Sequence, residues 1–427
     1  MERIKRLLKE AGISDYIVYG FRERTAELFF VKKQLDTRRL KDVEKFNVTV
    51  YRTGEKDGKK LRASTDVTVL AEMTDAEMLD AFKGAYFAAQ FAMNPYYELP
   101  DPVTAPLREA TGKLAEQAPE QSAGEMAAAL FKADCEKDAF LNSAEIFVIQ
   151  KRAHVISSRG TDVSWTEAEV KGEYVVQAKE PEDVEMYRDF GYTELNADAL
   201  TAHVKEALMF VRDRAKAQRI LKSGNYDVIL TGSNVEEVLD FYEDRAAAYM
   251  LYPGYSTWKV GDAVQGEAIG ERVDITMKAT QPYSEEGIPM KDLPLFENGV
   301  LLAVHGPNRF CRYLGVPPTG YYKKNACLNT GSLSFAEMKN RPCLWAVTFS
   351  GFEMDSFSGH FGGEIRLAYL IENGKATPVT GGSINGNLFE AQRDLLFSKE
   401  RYSSLSYEGP YAMLLRNIPV AGTDAEE

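Results

Sequence analysis

The C-terminal third of the chain limits the possible folds most. From about Asp274 to Gly422, short strand-like runs alternate with Gly and Asn-Gly turns. Eight glycines fall between Gly351 and Gly386. Glycine concentrates where a backbone turns sharply or where a second backbone comes close. Such a stretch predicts a sheet that curls into a barrel-like shape rather than a helical layer.

The first half reads differently. Met1–Gly12 is a charged amphipathic helix, not the apolar core of a signal peptide. Strands are expected at Asp15–Tyr19, Ala26–Lys32 and Asn47–Thr53, the last running through polar Gly54–Lys60 into a partner that ends near Leu70. Gly54, Gly58 and Lys59 are one residue short of a phosphate loop and lack its Ser/Thr, so a plain turn is expected. Thr74 with Glu77, Ser122 with Glu125, and Ser233 with Glu236 have capping-box spacing and predict helix starts. A further helix follows Asn196 and runs to about Lys222, and Ser334 with Glu337 opens a short one. Ile146–Ile149 and Gly172–Ala178 are expected strands around a turn at Ser157–Gly160. The last residues, Asp424–Glu427, are expected to fray. The fold class is therefore α+β. Residues 1–222 are expected to form a mixed α/β domain and residues 223–427 a β-rich, barrel-like one.

Composition narrows the function classes. At 427 residues, 44% of them hydrophobic, the chain can build more than one core without metals or disulfides. Its formal net charge of −13 leaves no basic run for counterion release, so direct nucleic-acid contact is not expected. No stretch of 18 apolar residues occurs, so no membrane partner is expected and the location is read as cytoplasmic. Cys135, Cys311, Cys327 and Cys343 form no Cys-x-x-Cys pair and read as reduced, mostly buried thiols.

An ordered set of strings resembles the TldD/TldE (PmbA) family. It includes Leu28–Phe30 with Leu35-Asp36, then Tyr283–Gly287 followed by Phe296–Leu301. Ser356–Gly363, Ile371–Gly374, Pro378-Val379, Gly382–Leu388, Gly409-Pro410 and Val420–Gly422 complete it. The likeness is specific over Asp227–Gly422 and loose before it. It implies a two-domain protein whose β-rich domains pair in a dimer. In the catalytic branch, a helical His-Glu-x-x-x-His pair and a distal Cys hold zinc that cleaves peptides inside a closed chamber. TldE-type chains lack those ligands and accompany the catalytic subunit. Some members were first described as modulators of DNA gyrase.

Here the four histidines, His154, His203, His305 and His360, are all more than 40 residues apart. The helix Ser233–Tyr249, where the resemblance places the metal motif, has no histidine, and Ser406–Gly409 stands where the catalytic branch has its Cys. No catalytic, cofactor-binding or metal residue is therefore assigned, and zinc is expected only in a TldD-type partner.

Other constellations have plainer readings. Glu236, Asp240, Glu243 and Asp244 could hold a hard cation, but a solvated acidic face explains them. Asp355, Ser356, Ser358 and His360 contain the residue types of a serine hydrolase, yet no Gly-x-Ser-x-Gly is present, and a Gly-rich strand explains them. His305 with Cys311 reads as a loop histidine and a buried thiol. Trp165, Trp258 and Trp345 read as core or interface anchors.

The leading expectation is a TldE-like subunit without its own active site. It would complete a chamber and hold unfolded peptide, by its main chain on a strand edge, for a TldD-type partner. A self-standing homodimeric peptide- or ligand-binding protein, and a divergent peptidase with atypical ligands, remain open.

Overall fold

The computed structural model describes residues 1–134, 138–321 and 325–423, so the expectations for Cys135 and Asp424–Glu427 lie outside the described residues. Seven antiparallel strands build the first sheet: β1 (Asp15–Val31), β2 (Gln34–Lys56), β3 (Lys59–Leu70), β4 (Asn94–Pro95), β5 (Ala139–Ser157), β6 (Asp162–Ala178) and β7 (Val184–Tyr192). Their order is β4-β3-β2-β1-β5-β6-β7, which leaves β7 at one edge.

The two strands expected at Asp15–Tyr19 and Ala26–Lys32 are one. β1 pairs with β2 from Asp15 and with β5 from Ile17, in both cases as far as Val31. The polar residues between the two expected runs are the outward side of a sheet, where Arg22 reaches Asp42 on β2 at 2.7 Å. The β2–β3 turn has Asp57 at φ 52° and Gly58 at φ 73°, the left-handed pair that a two-residue hairpin requires. It is a plain turn, as expected.

The helix Asp75–Ala89 opens on the Thr74–Glu77 box. The helix expected at Ser122 starts earlier, at Pro119, whose fixed φ suits a first turn, and Ser122 is buried inside it. Asn196 caps the helix Ala197–Ala215 by accepting from the Ala199 amide. That helix stops before Lys222 because the following chain pairs elsewhere. The Gln218 amide donates to the Pro378 carbonyl, and the Thr380 amide donates back to the Gln218 carbonyl.

The second half holds two sheets. The remaining strands are β8 (Gly224–Thr231), β9 (Ile275–Met277), β10 (Leu293–Glu297), β11 (Val300–Leu301), β12 (Ala326–Leu328) and β13 (Cys343–Met354). Then come β14 (His360–Glu372), β15 (Lys375–Val379), β16 (Ser383–Asn387), β17 (Leu395–Phe397), β18 (Arg401–Ser403), β19 (Tyr407–Pro410) and β20 (Ala412–Ala421). β13, β8, β20, β16 and β14 close into a ring because β14 also pairs with β13. This is the barrel that the glycines predict. A side chain at Gly386 would come within 2.2 Å of the Phe361 ring, which is fully buried. The glycine lets the wall close over that ring.

β9–β12, β18 and β19 form a second sheet that ends on β18. An apolar cluster crosses residue 222. Phe210 of the Ala197–Ala215 helix meets Trp345 edge-on at 5.8 Å, and Trp345 stacks on Tyr369 at 4.6 Å.

Candidate functional site

The helix Ser233–Arg245 lies against the barrel and carries the acidic row. Its predicted capping box does not form. Gly232, at φ 61°, occupies the cap position and no side chain caps the helix. Glu236 turns instead to the loop between β18 and β19. Its Oε1 accepts from Ser404 Oγ at 3.0 Å and from Ser406 Oγ at 2.5 Å. Burial raises the Glu236 carboxyl above its ordinary value, against the pull of the two serines.

The row is not a solvated face. Glu243 is only 2% exposed, and Glu236 and Asp240 are half-buried. Asp244 accepts from Ser356 Oγ at 2.8 Å and from Tyr249 Oη at 3.0 Å. The helix is covered on more than one side, by the β18–β19 loop and by the turn before β14, so its acids are drawn to separate partners. The helix expected over Ser233–Tyr249 ends at Arg245, so Tyr249 follows it and is exposed. A zinc ion requires three or four close nitrogen, sulfur or oxygen donors. Among the described residues, no group of three His, Cys, Asp or Glu side chains could share a metal. The residues where the resemblance places the metal motif therefore do not fit the zinc site of the catalytic branch.

The other candidates are structural. Ser358 Oγ donates to Asp355 at 2.5 Å, and Asp355 also accepts from the Phe357 amide. The link between Ser358 and His360 runs through the His360 backbone amide, not the imidazole. Arg245 Nη1 holds the turn by donating to the carbonyls of Ser356 and Phe357. His305 Nε2 lies 2.7 Å from the Glu243 carbonyl, which can only accept, so that nitrogen carries the hydrogen. Burial pushes the Cys311 thiol up to about 11, which keeps it protonated at neutral pH. Trp165 and Trp345 are buried, and Trp258 is half-buried between Arg245 and Phe296.

Two clefts flank the acidic helix. The larger, about 1640 Å³, lies between the first sheet and the segment around 279–310, with Tyr19, Tyr51, Lys151, Asp240 and Glu286 in its walls. The smaller, about 770 Å³, is lined by β6, β7, the Ala197–Ala215 helix, Glu236 and the β18–β19 loop. Both clefts reach Lys171, Leu405 and Ser406. β7 and β18, which end their respective sheets, both face the smaller one. A side chain at Gly191 would meet Leu405 at 2.5 Å, so glycine there lets the loop close onto β7. The sequence reading noted Ser406 but not its contact with Glu236. The run Ser403-Ser404-Leu405-Ser406 was the available signal.

Residues 223–422 match the family model described as PmbA/TldA metallopeptidase C-terminal domain. A Methanothermobacter thermautotrophicus protein named "Metalloprotease" is 28% identical over 211 residues, which are 43% of this chain and 46% of that protein. The chain thus matches less than half the length of that curated relative. TldE from Thermococcus kodakarensis has the same fold, with a TM-score of 0.77 at 17% identity over 98% of this chain and 100% of that one. A Thermotoga maritima protein described as a candidate modulator of a DNA gyrase superposes equally, with a TM-score of 0.77 at 17% identity over 98% of this chain and 99% of that one. Residues 223–422 are thus similar to the TldD/TldE (PmbA) family, as the ordered strings imply, and the whole chain shares the fold of TldE. No described helix is long and apolar enough to cross a membrane.

Proposed function

We propose that this chain is the TldE-like, non-catalytic member of a zinc-peptidase pair. It completes a chamber with a TldD-type partner and holds unfolded peptide there. The observation that carries this reading is the Glu236–Ser404–Ser406 cluster. It stands where the resemblance places the helical motif and the distal cysteine of the family's catalytic branch, and hydroxyl hydrogen bonds occupy the carboxylate. Main-chain capture suits such a role, because an open strand edge offers its amides and carbonyls to any extended peptide. β7 and β18 supply two such edges beside one cleft.

The test combines this chain, purified without chelator, with a TldD-type protein that supplies the histidine pair. The chain alone is expected to carry far less than stoichiometric zinc by elemental analysis. The mixture should elute as a complex and gain activity on unfolded peptide that this chain lacks. A stable homodimer that ignores every such partner would defeat the reading, as would one tightly held metal per chain.

A further inference from the structure

We infer that an aromatic face on the flank of the barrel is the docking surface for the partner subunit, a TldD-type chain that sets Lys and Arg around an apolar centre. The inference rests on the peptidase-pair reading and names the surface the pair would use. Tyr249, Tyr252, Tyr255, Phe357 and Phe389 each leave between 37% and 58% of their surface in solvent. They come from three segments: the chain after the helix Ser233–Arg245, the turn before β14, and the residues after β16.

One scaffold holds these rings. Tyr255 meets Phe357 at 5.2 Å. Tyr249 Oη donates to Asp244, which also accepts from Ser356 Oγ. A side chain at Gly359 would come within 2.5 Å of the Phe389 ring, so that ring lies on the same turn. Arg245 is buried and fixes the turn from beneath. Its guanidinium lies 4.7 Å from the Phe389 ring centre, and its Nη1 donates to the Ser356 and Phe357 carbonyls. Tyr252 extends the face to Tyr313 at 4.7 Å and to Phe310 at 6.1 Å. Rings already held in place lose little freedom when a partner covers them.

Size and composition point to a protein partner. Taking about 200 Å² for a whole aromatic side chain, the five rings expose about 500 Å². That is more than half of the roughly 800 Å² that each partner buries in a standard interface. It also lies at the upper end of the apolar patches that monomers leave uncovered. Aromatic side chains with few charges among them are the composition of an interface core. The rim is mostly acidic: Asp244, Glu353, Asp355 and Glu390 adjoin the rings in sequence or contact, against Lys259 and Arg309. A second copy, with the same net charge of −13, would bring the same acids to the contact, so a partner with a basic rim fits better. The position suits the pair as well. Phe310, which Tyr252 touches, lines the larger cleft, so a subunit seated on this face would border that cleft.

The experiment is calorimetric titration of the full chain with a TldD-type chain that carries the histidine pair, at about 50 mM and about 500 mM salt. The parent should bind, more weakly at the higher salt. Tyr255→Ser and Phe357→Ser should each weaken binding about 10-fold or more. Phe87→Ser, whose ring is 61% exposed on the helix Asp75–Ala89, should bind like the parent. Circular dichroism and urea midpoints check that all three variants fold. If the parent forms no complex, the inference falls together with the pair reading. If the parent binds and the folded Tyr255→Ser and Phe357→Ser chains bind equally well, the inference falls alone. A homodimer of the parent that these two variants split would give the face to a second copy and overturn it too.

Discussion

Trp345→Ala is expected to cost about 4 kcal/mol of stability, the upper range for truncating a large buried aromatic. The ring is 9% exposed and stacks on Tyr369 at 4.6 Å. Phe210 and Phe335 meet it edge-on at 5.8 and 5.0 Å. Its Nε1 donates to Thr231 Oγ1 at 3.2 Å, so truncation also strips a partner from a buried hydroxyl. These contacts join β8, β13 and β14 of the second half to the Ala197–Ala215 helix of the first. The loss is therefore expected to weaken both halves together and to lower a single urea transition, rather than split it in two. Trp345→Phe keeps most of the ring contacts and should lose about 1–2 kcal/mol. A Trp345→Ala chain within about 1 kcal/mol of the parent would mean that the cluster does not couple the halves.

Much of this architecture is local chemistry and could be read in advance. The Thr74–Glu77 and Ser334–Glu337 boxes form as spaced, because cap and partner lie within one helical turn. Ser233–Glu236 has the same spacing and fails, because Glu236 finds hydroxyls 168 and 170 residues away. The barrel was legible because Gly386 and its neighbours are there for a backbone reason. The length of β1 was not, because a polar stretch such as Arg22–Glu23 looks the same in a loop and on the outward side of a paired strand. The metal motif's absence could be read directly from the histidine positions. The smaller cleft could not, since its walls come mostly from residues near 171–236 and 401–406 that only the folded chain brings together.

Glu286 and His203 are expected to give this protein two opposed pH dependences of stability. Burial pushes the Glu286 carboxyl up to about 7, despite the hydrogen bond it accepts from the Asn308 amide. Nearby Asp66 and Glu285 act in the same direction as burial. Burial, with Arg188 adding to it, pulls His203 down to about 4 from an ordinary 6.5. The folded state therefore binds the Glu286 proton more tightly than the unfolded chain does. Stability from this group is fully present below its ordinary 4.5 and is lost as pH rises through about 7. For His203 the unfolded chain binds the proton more tightly. Its contribution is present above 6.5 and is lost as pH falls through about 4. Each shift corresponds to at most about 3 kcal/mol. Because the two windows overlap, the parent should show a nearly flat profile between them. Glu286→Gln should exceed the parent by up to about 3 kcal/mol at pH 8 and match it near pH 4. His203→Gln should instead resist the fall toward pH 4 and leave the alkaline side unchanged. Urea unfolding of all three proteins across this range reads both effects. Parallel pH profiles for the parent and both variants would show that neither group is held away from its ordinary protonation in the fold.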